Sequence, residues 1–129
     1  ELIADSYLSV STPVQVAAAD LLARGSAIRE AILQRVRVNL AGLREFARSF
    51  PGTTVLACEG GWYAVIRVPS TRAEEDLVLA LLDRERILVH PGYFFDFPRE
   101  AYLVTSLLPP PGIFHAAAAR MLQFASSAV

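Results

Sequence analysis

The chain has no lysine. All twelve of its basic residues are arginine, so chemistry that needs an amine side chain is excluded from these 129 residues. Cysteine is nearly absent too: a lone Cys58 forms no internal disulfide and no zinc set, and nothing else points to an oxidising compartment. Charge of one sign is also lacking. Twelve basic against thirteen acidic residues leave a formal net charge of -1, with no electrostatic footprint for nucleic acid or an anionic membrane. No apolar run approaches the roughly 18–20 residues that span a bilayer, and the start of the chain lacks the basic-then-apolar layout of a signal peptide. Gly-x-Ser-x-Gly and Gly-x-Gly-x-x-Gly are both missing, which removes the nucleophile elbow and the dinucleotide loop. Methionine occurs once, at Met121, and residue 1 is Glu. The opening stretch reads like the middle of a longer protein, and we expect the chain to be a piece of one.

What is present suits a folded domain. At 53% hydrophobic and 19% charged, the composition argues against disorder, and the length suits one domain over 1–129 with one core. Thr12 before Pro13 predicts a capped helix entry, with the helix running to Gly25 and Ser26 offering a fresh cap. Ile28, Ile32, Val36, Leu40, Leu43, Phe46 and Phe50 then fall at steps of three and four, the stripe of a long helix that Pro51-Gly52 stops. Short β segments are expected over 53–58, 62–68, 87–89 and 102–108. Thr71 with Glu74 makes a capping box before a helix whose apolar side is Leu77, Val78, Leu81 and Leu82. A last helix carries Ile113, Ala117, Met121 and Phe124. The resulting expectation is an α+β fold, a small sheet of three or four strands covered mainly on one face by helices.

Few residues carry chemistry. His90 and His115 are the only imidazoles, and neither has metal-ligand neighbours at useful spacing. His115 is expected to face solvent. His90 is either a hydrogen-bonded structural residue or a site residue beside the aromatic turn. Glu74, Glu75 and Asp76 sit in a first helical turn, where they complement the macrodipole. Cys58 is read as a small buried hydrophobe. Arg67 interrupts an apolar strand and either snorkels to its edge or pairs with a carboxylate. The most unusual segment is Val89-His90-Pro91-Gly92-Tyr93-Phe94-Phe95-Asp96-Phe97, where a Pro-Gly pair turns the chain and four large rings occupy five positions. Something apolar must cover them: the core, a partner or a ligand pocket.

Four segments in order carry a resemblance: Ala4 to Gln15 leading into a helix with Gly25 near its end, Glu59-Gly60-Gly61-Trp62-Tyr63-Ala64-Val65, Val89 to Phe95, and Tyr102 to Leu108. Together they resemble the C-terminal small domain of a class I/II aminotransferase, a fold-type I enzyme dependent on pyridoxal phosphate, across essentially the whole chain. The resemblance implies a preceding large domain that carries the Schiff-base lysine and most phosphate contacts, in a cytoplasmic, homodimeric parent. No catalytic or cofactor-binding residue is then expected in this chain, alongside the expectation from spacing and charge of no metal-binding residue and no nucleic-acid or membrane contact. It implies a part that closes over an amino-acid or 2-oxo acid substrate, with Tyr63, His90, Tyr93 and Arg67 on the substrate side. The family usually places an arginine on the last strand to grip the substrate α-carboxylate; Val104 stands there, leaving Arg67, Arg99 or an arginine outside the chain for that role. Two other functions stay open: the effector-sensing domain of a transcription regulator, and a free-standing module that dimerises through the aromatic turn.

Overall fold

A computed structural model describes residues 10–99 and 101–127. The Ala4–Ser9 part of the first motif lies outside them. The chain divides into two compact units, Glu1–Ile32 and Leu33–Val129.

In the first unit, helix α1 spans Thr12–Arg24, with Pro13 in its first turn. The cap falls on Ser11 rather than Thr12, without a side-chain hydrogen bond. Gly25 does not break the chain's course: it keeps a right-handed conformation, and its carbonyl accepts the Arg29 N–H at 3.0 Å. Helix α2 therefore follows at once over Ser26–Ala47, crossing into the second unit. No α1 side chain is buried.

The second unit holds the core. Along α2 the buried residues are Val36, Asn39, Leu43 and Ala47, with Leu40 and Phe46 half-buried. The expected stripe is present there, but a polar residue, Asn39, occupies one of its inner positions. Its Nδ2 donates to the Leu107 and Pro109 carbonyls, both at 2.9 Å, which satisfies two main-chain acceptors beyond the last strand.

Four strands form one antiparallel sheet: β1 (Thr54–Val55), β2 (Tyr63–Arg67), β3 (His90–Pro91) and β4 (Tyr102–Ser106), in the order β1-β2-β4-β3. Strand residues alternate between faces. Ala64, Ile66 and Leu103 point into the core, where Leu77 and Leu81 of the third helical segment and Phe114, Ala118, Met121 and Leu122 of the last helix cover them. That third segment consists of α3 (Glu74–Ala80) and a wider π-helical turn, Leu81–Glu85; helix α4 spans Pro111–Ser126. The α+β architecture with one covered sheet face is the one the pattern predicted.

Several local expectations are corrected. The 87–89 segment is not a strand; pairing begins at His90, after Arg86 has turned the chain in a left-handed conformation (φ 57°). In α4 the buried set is Phe114, Ala118, Met121, Leu122 and Ala125, so the inner face is rotated from the Ile113–Ala117 side; Ile113 is exposed. His115 does not face open solvent. It is half-buried, its Nε2 is enclosed without a partner, and its ring lies against Gly42 and edge-on to Phe46. Among the described residues no helix is long and apolar enough to cross a membrane.

Candidate functional site

The sheet has a second face, and the register decides what stands on it. Tyr63 pairs with Ser106, Val65 with Val104, Arg67 with Tyr102, and His90 with Val104. Paired residues share a face. Tyr63, Arg67 and His90, chosen from sequence alone, therefore share the side away from the helices, arranged around Val104. Strands lie about 4.8 Å apart and rise about 3.3 Å per residue, so Tyr63 and Arg67 stand roughly 13 Å apart on β2. The Val65–Val104–His90 row runs between them.

Val104 is only 3% exposed yet lies outside the main core cluster, so the centre of this face is covered and only its Tyr63 and Arg67 ends are exposed. Tyr63 is 44% exposed. Arg67 is exposed; its Nη2 meets the Thr54 hydroxyl at 3.4 Å, and it forms no ion pair among the described residues. Of the two sequence-level readings for Arg67, the intramolecular carboxylate finds no support among those residues. Cys58 is half-buried rather than core, its Sγ donating to the Gly60 and Tyr63 carbonyls at 3.3 and 3.4 Å.

The aromatic segment rises from β3. Gly92–Phe95 form a 3-10 turn, and Asp96 ends it in a left-handed conformation (φ 57°). The turn therefore begins at the Pro-Gly pair, as expected, and ends at Asp96. His90 touches the rings of Phe94 and Phe95, with centroids 6.1 Å away in each case, and Phe94 meets Tyr93 edge-on at 4.9 Å. His90 and Tyr93 thus join one ring cluster. The chain covers little of it: Tyr93, Phe94 and Phe95 are 49%, 62% and 49% exposed. Phe97 instead stacks on Tyr102. An apolar cleft of about 220 Å³ between α3 and the turn is lined by Val78, Leu82, Val89, His90, Tyr93 and Phe94. A larger cleft, about 410 Å³, lies between Arg86–Leu88, the end of β4 and α4; none of the expected site residues lines it.

Sequence reasoning missed the role of Glu74. No capping box forms: Ala73 is the N-cap, and Thr71 is exposed. Glu74 is instead 1% exposed, and its carboxylate accepts the Tyr93 and Tyr102 main-chain N–H groups. The only sequence signal was an acid in a first turn, which is common and points nowhere. No group of three or more His, Cys, Asp or Glu fit to hold a metal ion exists among the described residues.

The described residues thus form an α+β unit in which Tyr63, Arg67 and His90 share one sheet face beside a partly exposed ring cluster. No protein-family model matches the chain, and no curated protein matches it. Solved structures do. The fold is similar to part of an aminotransferase from Escherichia coli (20% identity, TM-score 0.65, 72% of this chain and 24% of that one). It is likewise similar to part of a tyrosine aminotransferase from Leishmania infantum (18%, 0.71, 84% and 28%) and of an aspartate aminotransferase from Rhizobium meliloti (16%, 0.69, 96% and 34%). At these identities the likeness establishes a shared fold, and the chain spans between 24% and 34% of the length of those proteins.

Proposed function

We propose that this chain is the small, substrate-covering domain of a pyridoxal phosphate-dependent aminotransferase, which moves an amino group between an amino acid and a 2-oxo acid. One observation carries the reading. In a fold similar to part of three aminotransferases, Tyr63, Arg67 and His90 share one sheet face beside a half-exposed ring cluster. Rings and a guanidinium around an apolar floor suit a small carboxylate-bearing substrate, with the rings excluding water as a second body closes on them. Arg67 is the carboxylate-binding group within the described part of this face, because Val104 offers no charge.

The cofactor does not fit these residues. Pyridoxal phosphate needs a lysine for its covalent link, and the chain has none. On this reading the anchoring lysine and most phosphate contacts belong to a large domain of a longer parent protein, itself expected to be a cytoplasmic homodimer. This domain binds, orients and shields.

The test uses the full-length protein. Purified enzyme should show the visible absorbance of bound cofactor, lose it when the anchoring lysine is replaced, and transaminate a 2-oxo acid. Absence of cofactor binding refutes the proposal. Cofactor binding without turnover favours an effector-sensing role, which the uncharged Val104 position would suit.

A further inference from the structure

Glu74 is buried where burial is expensive. Carboxylates are almost never fully buried without a partner, yet Glu74 is 1% exposed and forms no ion pair among the described residues. Both its oxygens are occupied by main-chain donors from two other segments. The Tyr93 N–H donates to Oε2 at 3.1 Å, and the Tyr102 N–H donates to Oε1 at 2.5 Å. Tyr93 lies in the first turn of a 3-10 helix, where amides have no partner within the helix. Tyr102 opens β4. One carboxylate thereby ties the start of α3, the aromatic turn and the central strand β4 together.

Gly92 completes the junction. It is not among the positive-φ residues, so its backbone conformation does not require glycine. Space does: a Cβ there would lie 2.7 Å from the Tyr102 Cβ and 3.1 Å from Glu74 Oε1. Packing does not hold the turn, since its three rings are about half exposed or more. Pairing of His90 and Pro91 with β4 anchors its start. The turn itself is tied by Glu74, bonded to Tyr93 on one side and to Tyr102 of β4 on the other, and by the close approach at Gly92. An apolar residue at position 74 would avoid the desolvation cost but would leave both amides without an acceptor.

We propose that Glu74 is a positioning residue, which sets the pose in which His90 and Tyr93 meet the substrate by gripping the backbone of the turn. The inference rests on the aminotransferase reading above for its consequence in catalysis, but not for the grip itself. In the full-length enzyme, Glu74→Gln keeps the volume and leaves only one accepting oxygen. Amide hydrogen exchange at Tyr93 and Tyr102 should accelerate about tenfold or more, the worth of one hydrogen bond to a charged group, with α4 amides unchanged. KM for the amino-acid substrate should rise roughly tenfold while kcat stays within about twofold. Gly92→Ala should reproduce the KM change, and the double variant should be no worse than the stronger single one. Glu74→Asp, which keeps the charge but withdraws the oxygens by one methylene, carries the same test if Glu74→Gln does not fold. A folded variant with lower Tm but unchanged KM overturns the positioning role. If the wild-type enzyme does not transaminate, the functional reading fails by itself, and exchange alone decides the grip: unaccelerated Tyr93 and Tyr102 amides overturn it.

Discussion

Alanine at Gly42 should destabilise this protein, against the ordinary rule for the middle of a helix. That rule favours alanine by about 0.5–1 kcal/mol, because glycine loses more backbone freedom on folding. Here the new Cβ would stand 2.5 Å from His115 Nε2, 2.9 Å from Cδ2 and 3.1 Å from Cε1. The imidazole cannot step aside freely, since Phe46 and Phe114 meet it edge-on with centroids at 5.8 and 6.0 Å. Forcing it out of place is overpacking, which costs about 1–3 kcal/mol. The net expectation is a loss of roughly 1 kcal/mol in the wild-type background. In a His115→Ala background the clash is gone, and Gly42→Ala should stabilise by about 0.5–1 kcal/mol. The cycle is clean because Nε2 has no hydrogen-bond partner to lose. Urea denaturation of the four proteins, at constant m, would give a coupling of about 1–3 kcal/mol. If Gly42→Ala stabilises both backgrounds equally, the packing of α2 on α4 described above is wrong.

Further predictions follow the same logic. Asn39→Ala leaves the Leu107 and Pro109 carbonyls without their donor and should cost about 2–3 kcal/mol in chemical denaturation; a loss under about 0.5 kcal/mol removes Asn39 from its bridging role. Leu103→Ala opens a void at a fully buried position and should cost about 2–5 kcal/mol, seen as a lower Tm. Arg67→Met should leave the denaturation midpoint in place, because the side chain is exposed and its one contact is a 3.4 Å approach to Thr54. In the full-length enzyme the same change should raise KM for the 2-oxo acid, and an unchanged KM takes Arg67 out of the site.

Periodicity made the elements legible. The α2 stripe, the apolar run at β2 and the order of helices and strands could all be read from spacing, since burial on one side of a helix or sheet imposes a period on the chain. Local conformation at the turns was harder. Arg86 and Asp96 adopt left-handed conformations that glycine usually takes, so residue type did not mark these two positions. Pro91-Gly92 advertised a turn, while the glycine is required by the proximity of Tyr102 and Glu74.

Residue types by themselves determined that this chain has no lysine to anchor an aldehyde cofactor and no second cysteine for an internal disulfide. Residue spacing determined which side chains seek the interior. Only the tertiary structure decided that Tyr63, Arg67 and His90 share a face, since that depends on strand register, and a slip of one residue would send each to the other side. It also decided that Glu74 serves two distant amides and that His115 rests on Gly42. Contacts between residues 19 to 73 positions apart leave no local period for a sequence to display.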